Sequence, residues 1–126
     1  MTLAIVPWAV LAGGIGALMR YLIISAMPVS ESRPFPRGVL LVNSLGSLIA
    51  GVTLGFVATD TITMDAALII WAGLCGGLTT FSTVTVETIL IGRERMSLAW
   101  VNTVSNVVLG CASAGVGFAL VLLLWG

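Results

Sequence analysis

Four apolar runs, each near the ~20 residues that a bilayer-crossing helix needs, fill most of this chain and leave only short polar connections between them. They fall at about 3–27, 37–58, 66–91 and 97–125, judged by hydropathy and helix length. With 59% hydrophobic and 8% charged residues over 126 positions, the chain has too little polar surface for a water-facing globule. The expected class is therefore an all-α integral membrane protein with a single four-helix membrane domain over residues 1–126. The formal net charge is zero, histidine is absent and there is no basic run, which argues against nucleic acid or an acidic partner. The first run has no early Arg or Lys and is longer than a signal-peptide core, so it reads as a retained helix.

One part of the third run is poorly suited to lipid. Gly73-Leu74-Cys75-Gly76-Gly77-Leu78-Thr79-Thr80-Phe81-Ser82-Thr83-Val84-Thr85-Val86-Glu87 places a glycine doublet, five hydroxyls and a carboxylate at membrane depth. Backbone in hydrocarbon must satisfy its own amides, so such a stretch belongs where it is buried in protein or lines a wet cavity. The spacing predicts a third helix broken at Gly76-Gly77, with Thr80, Thr83 and Glu87 on one face beyond the break. A β-carbon at Gly76 is expected to crowd that break.

The other runs carry fewer polar groups. In the first, Ala12, Gly16 and Arg20 share a face, so close helix contact leads to a charge that fits either a vestibule or an interfacial anchor. Asn43 lies inside the second run, where its amide must find a partner helix or water. Ser47, Gly51 and Gly55 continue its face as a packing stripe. Asn102, Asn106, Gly110 and Ala114 line one face of the fourth run, either as interhelical glue or as a wet track. Cys75 and Cys111 read as small packing residues. Asp60 and Asp65, in the second connection, are candidate helix caps. Arg20 and Glu87 approach the same side and are a candidate ion pair.

Gly76-Gly77-Leu78-Thr79-Thr80-Phe81-Ser82-Thr83 followed by Glu87 closely resembles the third-helix signature of the Fluc (CrcB) family of fluoride channels. Gly14-Ile15-Gly16-Ala17 to Arg20 is similar to the family's first-helix motif. Gly38-Val39-Leu40-Leu41-Val42-Asn43 to Gly51 is similar to its second, and Gly110 with Gly115 and Gly117 to its fourth. The resemblance covers essentially the whole chain. It implies passive, fluoride-selective export across the inner (plasma) membrane by an antiparallel, dual-topology-type dimer with pores along the subunit interface. It also implies a structural, untransported Na+ on the dimer axis, held by the backbone carbonyls of Gly76 and Thr79. The pore positions it implies are Asn43, Phe81, Ser82 and Thr83, with Arg20 in the vestibule; Asn102 and Asn106 join them as the polar face of the fourth run. The partners implied are fluoride, membrane lipid and a second subunit.

Fluoride is small and strongly hydrated, so a pore must replace its water with donors that are numerous and individually weak. Hydroxyls, an amide and the electropositive rim of an aromatic ring meet that need. A small four-span proton-coupled drug or cation exchanger is a rival reading, but it needs an embedded carboxylate, and Glu87 is the only deep acid in the runs. A non-transporting membrane subunit, with its polar stripes serving only as glue, is another. An enzyme is not expected, because histidine is absent, neither cysteine has a base beside it and Glu87 has no second carboxylate at its depth.

The family's second phenylalanine, three residues after the first, is replaced here by Val84. Arg33, Arg37, Arg93 and Arg95 all belong to the first and third connections, which the positive-inside rule places in the cytoplasm with both termini outside. A chain fixed in one orientation would form a heterodimer with an oppositely inserted homologue rather than a homodimer. Oriented tagging of the termini checks this: tags on one side only are expected for a fixed chain, and similar amounts on both sides exclude it.

Overall fold

The computed structural model describes residues 3–126 and is all-helical, with four helices long and apolar enough to cross a membrane. They are Leu3–Ala26, Arg37–Ala58, Met64–Gly92 and Met96–Trp125, called here the first to fourth spans. The first opens with a short 3-10 turn, Leu3–Ile5, before its α-helix, where Pro7 sits in the first turn and its missing N–H costs nothing. The first connection holds three prolines and is pinned by reciprocal Ser30–Arg33 backbone hydrogen bonds of 3.1 and 3.0 Å. Together with the turn after Gly92 it encloses a shared cavity, so the first and third connections lie at one end of the bundle.

The second span ends in a Schellman motif. Asp60 N–H donates to Val57 O at 3.1 Å and Thr61 N–H to Phe56 O at 2.9 Å, with Asp60 at a positive φ of 53°. Aspartate tolerates this left-handed position better than most residues. The N-terminal cap of the third span is Thr63, whose hydroxyl accepts from Ala66 N–H at 3.3 Å. Asp60 thus closes a helix rather than opening one, and Asp65 lies in the first turn of the next.

The third span is not one uniform helix. It is α-helical over Met64–Leu68, π-helical over Ile69–Cys75 and α-helical again over Gly76–Leu78, and it resumes as α-helix at Phe81–Gly92. Between these parts Thr79 (φ −83°, ψ 158°) and Thr80 (φ −149°, ψ 120°) are extended. The interruption therefore falls at Thr79-Thr80 and not at the expected Gly76-Gly77, where Gly76 has ordinary helical angles of −61° and −38°. Gly77 serves close approach instead. A β-carbon on Gly77 would run into the Gly13 carbonyl, and one on Gly16 would meet Leu78 N at 2.8 Å. Gly76 has room, because a β-carbon there would lie 3.6 Å from Trp71 O, an ordinary contact, so the expected crowding within the subunit does not occur.

The interruption is also where the third span changes partners. Its upstream half packs on the first span and its downstream half on the fourth. The second and fourth spans pack along much of their length, with Gly51 against Ala114 and Gly117 against Leu48 and Val52. Such small-residue contacts let helices approach closely without a water-driven hydrophobic effect. Trp71 fastens the π-helical segment to the second span by donating from Nε1 to Ala50 O at 3.2 Å.

Gly77→Ala is expected to destabilise the subunit by about 1–3 kcal/mol or more, the usual cost of overpacking, whereas Gly76→Ala leaves its stability near that of the parent. Thermal unfolding of the two variants in detergent, scored against the parent, checks the contrast.

Candidate functional site

The extended pair Thr79-Thr80 exposes backbone groups that a helix would have consumed, and one side chain answers both groups of Thr80. Thr80 N–H donates to Asn43 Oδ1 at 2.8 Å, while Asn43 Nδ2 donates to Thr80 O at 3.2 Å. This two-way pairing fixes which end of the amide is oxygen, since reversing it would set donor against donor. The second N–H of Asn43 goes to Asn106 Oδ1 at 2.9 Å. Both amide hydrogens are therefore engaged, and Asn43 works in this geometry as a clamp on the interruption.

The clamp continues into the fourth span. Asn106 Nδ2 donates to Asn102 O at 2.9 Å and to Asn102 Oδ1 at 3.2 Å, and Asn102 Nδ2 donates to Thr88 Oγ1 at 2.9 Å. Asn102 is fully buried, at 0% exposure, so its amide joins the third and fourth spans as interhelical glue. An unpaired amide at such a site would cost about 1–3 kcal/mol.

On the opposite side of the interruption, Arg20 Nη1 donates to Thr79 O at 3.0 Å. Arg20 therefore serves the break and does not form the candidate pair with Glu87, whose Oε2 is buried with no hydrogen-bond partner among the described residues. The Thr79 side chain folds back, its hydroxyl donating to Cys75 O at 2.8 Å, and its methyl occupies the space that Gly46 leaves by lacking a β-carbon.

Helix restarts at Phe81 because Thr80 caps it, accepting from Thr83 N–H at 3.2 Å. Thr80 Oγ1 lies 2.9 Å from Thr83 Oγ1 and 3.3 Å from Ser82 Oγ, which makes a small hydroxyl cluster. Phe81 is 85% exposed on the subunit surface. Val84 is turned inward, at 8% exposure.

These groups border an open groove of about 320 Å³. Of the residues singled out in the sequence, Asn43, Thr79, Thr80, Phe81, Val84 and Asn106 line it, whereas Ser82 and Thr83 sit in the cap just beyond, and Asn102 and Arg20 are not part of its lining. Ser47 and Thr103 also line the groove. Ser47 follows Asn43 by four residues and Thr103 precedes Asn106 by three, so helical spacing from the two asparagines was the signal that pointed to them. The groove thus combines amide, hydroxyl and aromatic groups beside a backbone break.

A family model described as "CrcB-like protein, Camphor Resistance (CrcB)" matches residues 7–118. Among similar proteins, a fluoride-specific ion channel FluC 2 of Mycobacterium tuberculosis is 41% identical over 118 residues, covering 93% of this chain and 90% of its own. The fluoride-specific ion channel FluC of Pyrococcus abyssi is 39% identical over 113 residues, covering 88% and 90%. A FluC 2 of Mycolicibacterium paratuberculosis is 38% identical over 117 residues, covering 92% and 93%.

Asn43→Ala strips the Thr80 N–H of its partner, while the Thr80 carbonyl keeps its place as acceptor of the first bond of the restarted helix; the expected cost is about 1–3 kcal/mol, that of one unsatisfied buried group. Ser47→Ala, on the same face, leaves those bonds intact and is expected to cost far less. Unfolding midpoints in detergent measure the difference, and equal effects would show that the clamp does not hold the break.

Proposed function

The chain belongs to the CrcB family, and from that membership we propose that it is a channel passing fluoride passively down its electrochemical gradient, which relieves fluoride toxicity. The single observation that carries this reading is 41% identity, over 93% of the chain, to a relative named as a fluoride-specific ion channel. The family is one of channels rather than enzymes, and the four spans make the chain a multi-pass membrane protein. The plasma membrane is the site where such export would act.

The pore assignment is Asn43, Phe81, Ser82, Thr83, Asn102, Asn106 and Arg20. Supporting it, the hydroxyls of Thr80, Ser82 and Thr83 cluster beside Phe81 at the one place where the third span is not helical. Weak, numerous donors of this kind can replace water around a small anion and still release it. Phe81 adds an electropositive ring edge where it projects from the subunit. Asn43, Asn106 and Asn102 act through the geometry they impose on Thr80, and Arg20 contributes positive charge on the other side of the break.

An antiparallel dimer completes this reading, because Phe81 and Gly76 lie on the surface of the isolated subunit. The carbonyls of Gly76 and Thr79 suit a hard cation such as Na+, which favours oxygen ligands. Thr80 N–H, which helical winding would direct to the Gly76 carbonyl, is bonded to Asn43 instead. The Thr79 carbonyl accepts from Arg20 and retains a second lone pair. Two carbonyls are too few for a hard cation, so an equivalent pair from a second subunit is part of the proposal. The ion would fasten the two breaks together and is not transported.

Vesicles containing this chain alone test the function. Rapid fluoride efflux with negligible chloride efflux is expected, and Phe81→Ala should slow it roughly tenfold, the equivalent of one lost contact of ~1.4 kcal/mol. Proton-coupled cation movement without fluoride efflux would overturn the channel reading in favour of a small exchanger. Efflux appearing only after co-reconstitution with an oppositely inserted homologue would identify the working unit as a heterodimer.

A further inference from the structure

The first connection encloses a second polar cavity, of about 310 Å³, that the channel reading leaves without a role. Its lining includes Ser30, Ser32, Arg33 and Arg37 together with apolar Met27 and Phe35. The loop that shapes it is held in place by the Ser30–Arg33 backbone pair, by Pro34 and Pro36 and by an Arg37 N–H to Phe35 O bond of 2.9 Å. Neither guanidinium has a hydrogen bond or ion pair among the described residues, and both arginines are exposed.

Charge is sorted across this end of the bundle. Glu31 belongs to the same loop but faces a neighbouring cavity of about 510 Å³, which it shares with Glu94 and Arg95. The arginine cavity has no acid in its lining. Its depth is fixed by the fold: Arg37 begins a 22-residue helix, about 33 Å long at the usual rise and so close to the ~30 Å hydrocarbon thickness. The cavity thus lies at the headgroup level, with cationic, hydroxyl and apolar groups in its lining.

We propose that this cavity binds the phosphate of an anionic phospholipid, with Arg33 and Arg37 contacting the phosphate oxygens, the mutually bonded Ser30–Ser32 hydroxyl pair (3.1 Å) supplying its one remaining O–H, and Met27 and Phe35 lying against the glycerol and first acyl carbons. Guanidinium is well matched to phosphate, phospholipid is the phosphate source at that depth, and two unneutralised arginines favour a headgroup whose phosphate charge is not offset by a headgroup cation. No residue of this cavity lines the groove beside the break.

The test uses the purified chain exchanged into detergent with equal amounts of dioleoyl phosphatidylglycerol and dioleoyl phosphatidylcholine, washed, and analysed by mass spectrometry for retained lipid. The parent is expected to retain phosphatidylglycerol with a preference of roughly thirtyfold, the scale set by two basic residues at a membrane surface. Arg33→Gln with Arg37→Gln should abolish the preference, while the charge-matched Arg93→Gln with Arg95→Gln should keep it. Should the double variant not purify as a folded species, Arg33→Gln alone, on the exposed loop, must lower the preference several-fold. No preference in the parent, or equal loss in both double variants, overturns the site. Displacement of the lipid by equimolar inorganic phosphate would also overturn it, since the cavity would then take free phosphate.

Discussion

The whole arrangement hangs on one amide meeting the backbone of one residue. Interrupting a helix at membrane depth strands an N–H and a C=O where water is scarce, and each costs energy until it is paired. Asparagine carries a donor and an acceptor on adjacent atoms, so Asn43 satisfies both groups of Thr80 with a single side chain. Leucine at this position would offer neither bond, and an ionised aspartate would lack the donor. Because the second amide hydrogen reaches Asn106, the clamp also ties the second span to the fourth. The order of that polar chain, Thr80 to Asn43 to Asn106 to Asn102 to Thr88, returns it to the third span on the far side of the break.

Around this contact the fold divides labour between the halves of the third span. The upstream half is locked by backbone proximity, through Gly16, Gly73 and Gly77, against the first span. The downstream half is held by side-chain amides against the fourth. Polar groups gather at the crossover because only there does the chain present backbone that no helix claims. Phe81, the first residue after the cap, is carried outward by the restarting helix and ends at the subunit's edge.

Much of this could be read from the residue letters. The four spans follow from hydropathy, and the polar residues that matter stand out because each is costly in hydrocarbon. The position of the break was less legible. A glycine doublet suggests flexibility, but Gly77 is small so that Gly13 can approach it, and the interruption lies just beyond, where Asn43 supplies substitute bonds. The pairing of Arg20 was hidden for a related reason: its acceptor is a backbone carbonyl, which no residue type announces. Helical periodicity put Asn102 and Asn106 on one face, yet a face says nothing about depth, and Asn102 proved sealed between helices while Asn106 reaches the groove. Ser47 reads from the sequence only as part of a packing stripe, and Thr103 does not stand out, because a lone hydroxyl in an apolar helix usually bonds to its own backbone, as Thr103 does with Ala99 O at 3.2 Å.

The wide winding at Ile69–Cys75 also bears on how this segment tolerates changes in length. A π-type turn accommodates one more residue than an α-type turn, so the segment behaves as a slack loop in an otherwise taut cord. Removing a single residue there would let the coil tighten to ordinary pitch while Gly77 and Thr80 kept their orientation. The same deletion in the regular helix between Phe81 and Gly92 would rotate every later side chain by about a quarter turn or more. Homologous chains that differ in length by one residue in this span can therefore share the same set of inward-facing groups, provided the difference falls upstream of the doublet.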